Sequence, residues 1–203
     1  MTTVKIAKII CPTEAEGPGK RMAIWVQGCP LRCPGCCNPE MLGDSGGETV
    51  ATSAILENIT AQRDNIEGIT FLGGEPFAQA AATAEIARGC HALSLSVMVF
   101  SGFERAQLES HSDPDVGALL AACDLLVDGP YDRAQPDEVR RWIGSRNQVM
   151  HFLSDRYQPS DSQFVGEETF EIRFLGGQLT VNGWPASSDH VASLLARRRR
   201  DVA

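Results

Sequence analysis

Four short apolar runs, 22–27, 68–72, 93–100 and 124–127, alternate with segments whose apolar residues recur at helical spacing. In 48–63 the recurring positions are Val50, Ala54, Ile55 and Ile59. The stretch 77–90 is Ala-rich and helical in character. Asp113-Pro114 reads as an N-cap followed by Pro at the first helical position, opening a helix to about 122. Strands separated by helices imply a parallel sheet with the helices outside it, an α/β fold. A closed eight-fold barrel needs about 250 residues, and this chain has 203. The expected architecture is therefore an open, partial (β/α) barrel. Residues 4–10 alternate in part and predict an edge strand. Near the other end, TFEIRF and QLTVNGW flank Gly176-Gly177, the pattern of a C-terminal β-hairpin. We expect one domain over 1–203, with a core at about 15–150 and an extension at about 151–203 that carries the hairpin.

Eighteen Lys and Arg stand against 26 Asp and Glu, a formal net charge of −8. That balance argues against a general nucleic-acid surface. The one basic block, Arg197 to Arg200, reads either as a solvated helix end or as a docking patch for an acidic partner. Residues 1–16 lack the long apolar core of a secretory leader. No apolar run approaches the ~18 residues of a membrane span. Seven cysteines, an odd number with three inside eight residues, fit free thiolates in a reducing cytoplasm better than a disulfide framework.

Those three are Cys29, Cys33 and Cys36, spaced C-x3-C-x2-C in GCPLRCPGCCN, directly after the run 22–27. Three thiolates can hold three irons of a [4Fe–4S] cluster and leave the fourth open for chemistry. Four-cysteine electron carriers use other spacings, and zinc ribbons use two separated C-x2-C pairs. The rival reading is a zinc or plain cysteine cluster. A second motif, Gly73-Gly74-Glu75-Pro76, ends the strand 68–72. Glycines there let a ligand approach the backbone, although the motif alone is also an ordinary strand-to-helix turn.

Taken together, GPGKRMAIWVQGCPLRCPGCCNPEM, FLGGEPF, DLLVDGPYD and GSRNQ resemble the radical S-adenosylmethionine superfamily, and within it the glycyl-radical-enzyme activases. The resemblance covers roughly 15–150. It implies that Cys29, Cys33 and Cys36 bind a [4Fe–4S] cluster whose open iron takes the amino and carboxylate groups of S-adenosyl-L-methionine. It places the Gly73, Gly74 and Glu75 turn against the methionine amino group. One electron, from a flavodoxin or ferredoxin, would split the sulfonium into methionine and a 5′-deoxyadenosyl radical. That radical would take a hydrogen atom from a glycine of a partner enzyme, such as an anaerobic ribonucleotide reductase. The alternative is a radical enzyme acting directly on a small molecule or peptide.

Ser101, at the end of the third parallel strand, is a candidate for ribose or carboxylate contact, or else a turn serine. Asp128 either orients the nucleoside or a bound cation, or simply forms a turn before Gly129-Pro130. Cys37 is expected as packing or pocket lining, because adjacent side chains diverge. Gly35 stands where many relatives carry an aromatic residue near adenine, a departure shared with the ribonucleotide-reductase activases. Asn147 and Gln148 look family-like without an assignable role. Arg21 and Gln27 flank the first parallel strand and are candidates for holding the site. Cys11, Cys90 and Cys123 are expected as buried small apolar residues. Trp25, Trp142 and Trp184 are expected in the core or at its rim, and the four histidines show no metal spacing.

Overall fold

A computed structural model describes residues 2–164, 169–175 and 178–183. The strands and α-helices run β1 (Thr3–Thr13), β2 (Arg21–Val26), β3 (Glu48–Ala51), α1 (Thr52–Gln62), β4 (Gly68–Gly73), α2 (Ala80–Ala92), β5 (Ser96–Phe100), α3 (Arg105–Glu109), α4 (Pro114–Ala121), β6 (Leu125–Asp128), β7 (Val149–Phe152), β8 (Phe170–Leu175) and β9 (Gln178–Gly183). Seven strands form one sheet in the order β3-β1-β2-β4-β5-β6-β7, and β8-β9 form a separate pair. The centre, β2-β4-β5-β6, is parallel, as the strand and helix alternation requires. Antiparallel strands flank it on both sides. The sheet is open, with β3 and β7 at its ends.

Side-chain parity divides the sheet into two faces. Met22, Ile24 and Val26 of β2, Ile69 and Phe71 of β4, Val97 and Val99 of β5, and Leu126 of β6 pack on one side. There they meet Ile55 and Ile59 of α1, Ile86 and Cys90 of α2, and Leu119 of α4. Each such aliphatic or aromatic side chain contributes about 1.5–3 kcal/mol by leaving water. The other parity set, Ala23 and Trp25 of β2 and Leu72 of β4 among them, faces away from the helices. Met98, Leu125 and Val127 continue that set and are covered by Trp142, Ile143 and Tyr157 from the long segment around β7. Helices thus close one face and leave the other to loops.

Three expectations change. The strand at 4–10 is longer and lies second from the edge, because β3 pairs with its outer side. The helix expected from 48 starts at Thr52; Thr49 and Val50 before it are β-branched, pack well on a pleated surface, and pair with Lys5 and Val4. The strand β7 had no sequence signal of its own; it exists because Asp128 to Leu125 offer it a free edge. Elsewhere the local chemistry works as expected. The Asp113 carboxylate accepts a hydrogen bond from Asp115 N at 2.9 Å, capping α4 behind Pro114. The expected hairpin strands are β8 and β9, while Gly176-Gly177, Trp184, His190 and Arg197 to Arg200 lie outside the described residues. Cys90 and Cys123 are buried, and Cys11 is only partly so.

Candidate cluster and cofactor site

Each parallel strand ends at the same rim of the sheet, and the C-terminal ends of β2, β4, β5 and β6 feed one cavity of about 400 Å³. Cys29, Cys33 and Cys36 line it, with Gly73, Gly74, Glu75, Ser101 and Gly102 from the strand ends opposite. Trp25, Leu72 and Phe100, from the loop-covered face of the sheet, supply apolar wall.

The cysteine loop leaves β2 at Val26 and is tied down at both ends. Gly28 N donates to Met41 O at 2.9 Å, and Cys29 N to Leu42 O at 3.2 Å. Gln27 lies at the root of the loop and its Nε2 donates to Glu40 O (3.1 Å), Gly43 O (2.7 Å) and Ser45 O (3.3 Å). One amide therefore gathers the returning strand of the loop. Gln79 closes the network, donating to Gln27 O at 3.1 Å and Lys5 O at 3.0 Å. Within the loop, Cys36 N donates to Cys33 O at 3.1 Å, the turn that sets the C-x2-C pair.

The three cysteines are half-buried, and the sulfurs of Cys29 and Cys36 face main-chain donors. The amides of Leu31 and Arg32 favour the thiolate of Cys29, while burial acts more strongly the other way and leaves its pKa raised. A hydrogen bond from Cys37 draws the pKa of Cys36 down to about 6, assisted by Asn38 N at 3.4 Å from its sulfur, and holds the Cys37 proton on. Cys37 itself lines the cavity. Amides aimed at sulfur are the donor pattern that thiolate-ligated clusters use. Among the described residues no three His, Cys, Asp or Glu side chains converge closely enough for a single metal ion. Three half-buried thiols on one short loop at one cavity, two of them facing main-chain donors, are the donor set that a thiolate-ligated iron–sulfur cluster would use.

The β4 turn is joined directly to the cysteine loop. Gly74 N donates to Val26 O at 2.8 Å, and Glu75 N to Gly28 O at 2.9 Å. Gly73 has φ +99°, a conformation open to glycine. The Glu75 side chain, 1% exposed, accepts from Phe77 N (2.9 Å), Gly102 N (2.9 Å) and Ser101 Oγ (3.1 Å). Burial nevertheless raises its pKa to about 7 against those three donors. Its carboxylate braces the β4 turn to the end of β5, and Gly73 and Gly74 of that turn border the cavity. The Ser101 hydroxyl donates to Glu75 and accepts from Phe103 N at 3.1 Å, so it combines a cavity position with the role of a turn serine.

Asp128 is placed differently from the other strand-end residues. It shares parity with Leu126, whose side chain packs among the helices. Its carboxylate accepts from Arg105 N at 2.6 Å, at the start of α3, and does not line the cavity. His151 Nε2 lies 3.1 Å from the same carboxylate oxygen, without the alignment of a hydrogen bond. Asn147 and Gln148 acquire roles as braces. Asn147 Nδ2 donates to Pro130 O at 2.7 Å, and Gln148 joins Gly129 O to the amides of Gly144 and Ser145. They fix the chain just after β6, and Gln148 also lines the cavity.

Arg21 lies at the opposite end of β2, about 16 Å along the strand from Val26. It is fully buried and donates to Thr70 Oγ1 (2.7 Å), Ser96 Oγ (2.9 Å) and Pro18 O (3.0 Å), with Tyr157 OH on Ser96 at 2.7 Å. This is a floor beneath the loop-covered face and not part of the cluster rim. No motif or spacing marked Lys8, Glu16 and Asn182, which reach the cavity from β1, the loop after it and β9. Lys8 Nζ sits 4.9 Å over the Trp25 ring. Glu16 accepts from Gly183 N at 2.8 Å, and burial raises its pKa to about 7.

Gln27→Leu removes three hydrogen bonds and leaves the loop carbonyls without that donor. The expected cost is about 1–3 kcal/mol. The expected readouts are a lower thermal midpoint and faster iron loss to a chelator from reconstituted protein. Unchanged values for both would show that the loop is held by other contacts.

The geometry is joined by similarity to known proteins. The family model described as "4Fe-4S single cluster domain" matches residues 15–151. The chain is 29% identical over 145 residues to the anaerobic ribonucleoside-triphosphate reductase-activating protein of Vibrio cholerae, covering 67% of this chain and 90% of that protein. The protein of the same name from Haemophilus influenzae is 28% identical over 155 residues, 69% of this chain and 93% of its own length. A pyruvate formate-lyase-activating enzyme of Clostridium pasteurianum is 32% identical over 79 residues, 37% of this chain and 33% of the enzyme. Among solved structures, QueE from Escherichia coli aligns over 49% of this chain and 52% of its own, with TM-score 0.39 and 16% identity. The family match starts before β2, takes in all three cysteines and the β4 turn, and ends inside β7, the last strand of the main sheet: the chain belongs to the 4Fe–4S single cluster domain family.

Proposed function

We propose that this chain is a radical S-adenosylmethionine activase that generates a glycyl radical on a partner enzyme, an anaerobic ribonucleotide reductase, in a reducing cytoplasm. One observation carries the reading. The three-cysteine loop and the Gly73-Gly74 turn are hydrogen-bonded to each other at one cavity, through Gly74 N to Val26 O and Glu75 N to Gly28 O. The names of the two relatives aligned over about nine-tenths of their length support the choice of partner.

In this reading Cys29, Cys33 and Cys36 hold a [4Fe–4S] cluster. When bound, the cluster and S-adenosylmethionine supply a one-electron cleavage that yields methionine and a 5′-deoxyadenosyl radical, the electron coming from a flavodoxin or ferredoxin. The chain's own residues bind and orient. The amides of Leu31, Arg32 and Asn38 support the anionic sulfurs. The backbone at Gly73 and Gly74 receives the methionine end of the cofactor, and Ser101 and Gly102 extend that surface along the neighbouring strand end. Glu75 keeps the two strand ends in register by holding Gly102 N and Ser101 Oγ. Trp25, Leu72 and Phe100 exclude water from the apolar side. The loop residues Arg32, Pro34 and Gly35 are exposed, so a segment of another protein can reach the cluster. Asp128 acts from outside the cavity, holding α3 against the end of β6.

The test is anaerobic incubation of the reconstituted chain with the reductase of the same organism, S-adenosylmethionine and reductant, read by electron paramagnetic resonance. A doublet on the reductase, lost when its glycine is replaced by Ala, is expected. Formation of 5′-deoxyadenosine with no radical on the reductase would overturn the choice of partner and favour a free substrate.

A further inference from the structure

The hairpin β8-β9 is turned inside out for an appended element. Its polar residues face the body of the protein. Glu171 Oε1 accepts from Glu14 N at 2.8 Å, and the Arg173 guanidinium donates to Pro12 O. Asn182 Nδ2 donates to Thr13 Oγ1 at 2.9 Å, and Gly183 N to Glu16. The alternate residues of β8 point outward: Phe170, Ile172 and Phe174 are 41%, 49% and 73% exposed. A half-exposed strand ordinarily presents the opposite pattern, apolar inward and polar outward. Three large apolar side chains in a row on one outward face form a patch, unlike a scattered surface leucine, and patches of this kind mark interaction sites.

The patch also has a direction. Ile172 pairs with Val181 across the hairpin, and paired residues of antiparallel strands share a face. Val181 lines the cluster cavity. Gly183, the partner of Phe170, lines it too, so the apolar face reaches from Phe174 to the rim of the cavity where the cysteines stand. We propose that this outward face of β8 is the docking surface for the protein substrate, seating apolar surface beside the glycine-bearing loop while that loop enters the cavity past Val181. The inference rests on the activase reading and extends it. A glycine deep in another protein reaches a cluster only if the chain around it is gripped next to the cavity mouth. This face is apolar, and it is continuous with that mouth. The partner chemistry it fits is an apolar patch flanking an extended loop, not an acidic or nucleic-acid surface.

The test uses the full chain with Phe174→Thr and with Ile172→Thr/Phe174→Thr, substitutions that put a strand-compatible threonine in place of each apolar side chain. Binding to the anaerobic reductase is measured by anaerobic titration, alongside partner-free 5′-deoxyadenosine formation and sedimentation of the activase alone. The expected result is a Kd raised about tenfold by the single change and more by the double. Partner-free cleavage and sedimentation should stay as in wild type. If the double variant binds and activates the reductase like wild type, this docking surface is wrong while the activase reading stands. Altered sedimentation with unchanged reductase binding would assign the face to a second copy and overturn the proposal. Tighter reductase binding by the variants would show that the face opposes reductase docking, and would overturn the proposal too. If wild type places no radical on the reductase, the activase reading itself fails.

Discussion

Cys33→Ala is expected to empty the site of iron and to reduce 5′-deoxyadenosine formation to background, while leaving the fold in place. Cys33 is the middle residue of the three, and its sulfur is half-buried at the cavity wall. In the proposed assignment its removal leaves two thiolates to hold a cluster that needs three, and a loss of metal affinity follows because each ligand would be a covalent anchor. The fold should tolerate the change. The contact that shapes this turn, Cys36 N to Cys33 O, belongs to the backbone and survives. The cost to the unloaded chain is therefore about 0.5 kcal/mol or less, typical of a substitution outside the core. Anaerobic reconstitution should give about four irons per wild-type chain and nearly none for the variant, with superimposable far-ultraviolet circular dichroism. Cys123→Ala supplies the contrast. Cys123 is buried and packs in the helix-side core, so its loss should lower stability and leave the iron count alone. A Cys33→Ala protein that kept its iron and its cofactor cleavage would dismiss the assignment of all three ligands, since their roles rest on one loop.

Much of this site was legible because its parts are local. A cysteine spacing, a glycine pair after a strand and an Asp-Pro cap are each encoded within a few residues, and all appear where the pattern puts them. The unread parts depend on partners far along the chain. The strands β3 and β7 are four residues each and have no periodicity to announce them; edges offered by β1 and β6 make them strands. Asp128 shows a subtler limit. Its run Leu125–Asp128 is buried on both faces, so the sequence carries no alternation from which to phase it. Position at a strand end suggested the cavity, and parity then turned the carboxylate to the helices. Gln27, Asn147 and Gln148 act on main-chain carbonyls and amides, a kind of partner that no side-chain pattern records. The hairpin forms as expected, while the burial of its polar face is decided by Thr13, Glu14 and Glu16, more than 150 residues earlier.

Gly74→Ala is expected to uncouple the two halves of the site. A Cβ at Gly74 would stand 2.3 Å from Gly28 O, 2.9 Å from Gly28 C and 3.0 Å from Gly28 N. All three are backbone atoms, so no rotamer change relieves the overlap and one main chain has to move. Gly28 O is the acceptor of Glu75 N, and Gly28 N is the donor to Met41 O that anchors the cysteine loop. The displacement therefore breaks the bond that joins the β4 turn to the cysteine loop, at an expected cost of about 2–4 kcal/mol from overlap and a lost hydrogen bond. The three cysteines stay on their own loop, so iron should still be incorporated. The surface proposed for the cofactor at Gly73 and Gly74 should not survive, and S-adenosylmethionine should no longer perturb the electron paramagnetic resonance spectrum of the reduced cluster. Gly89→Ala, in α2 and away from the cavity, separates crowding from coupling. Its added methyl would meet Leu56 Cδ2 at 2.3 Å, the end of a side chain that can rotate away. That variant should keep both the iron and the spectral response. If Gly74→Ala bound the cofactor as tightly as wild type, the backbone at this turn would not be the surface that receives it, and the link from Gly28 to Glu75 would be ordinary loop packing.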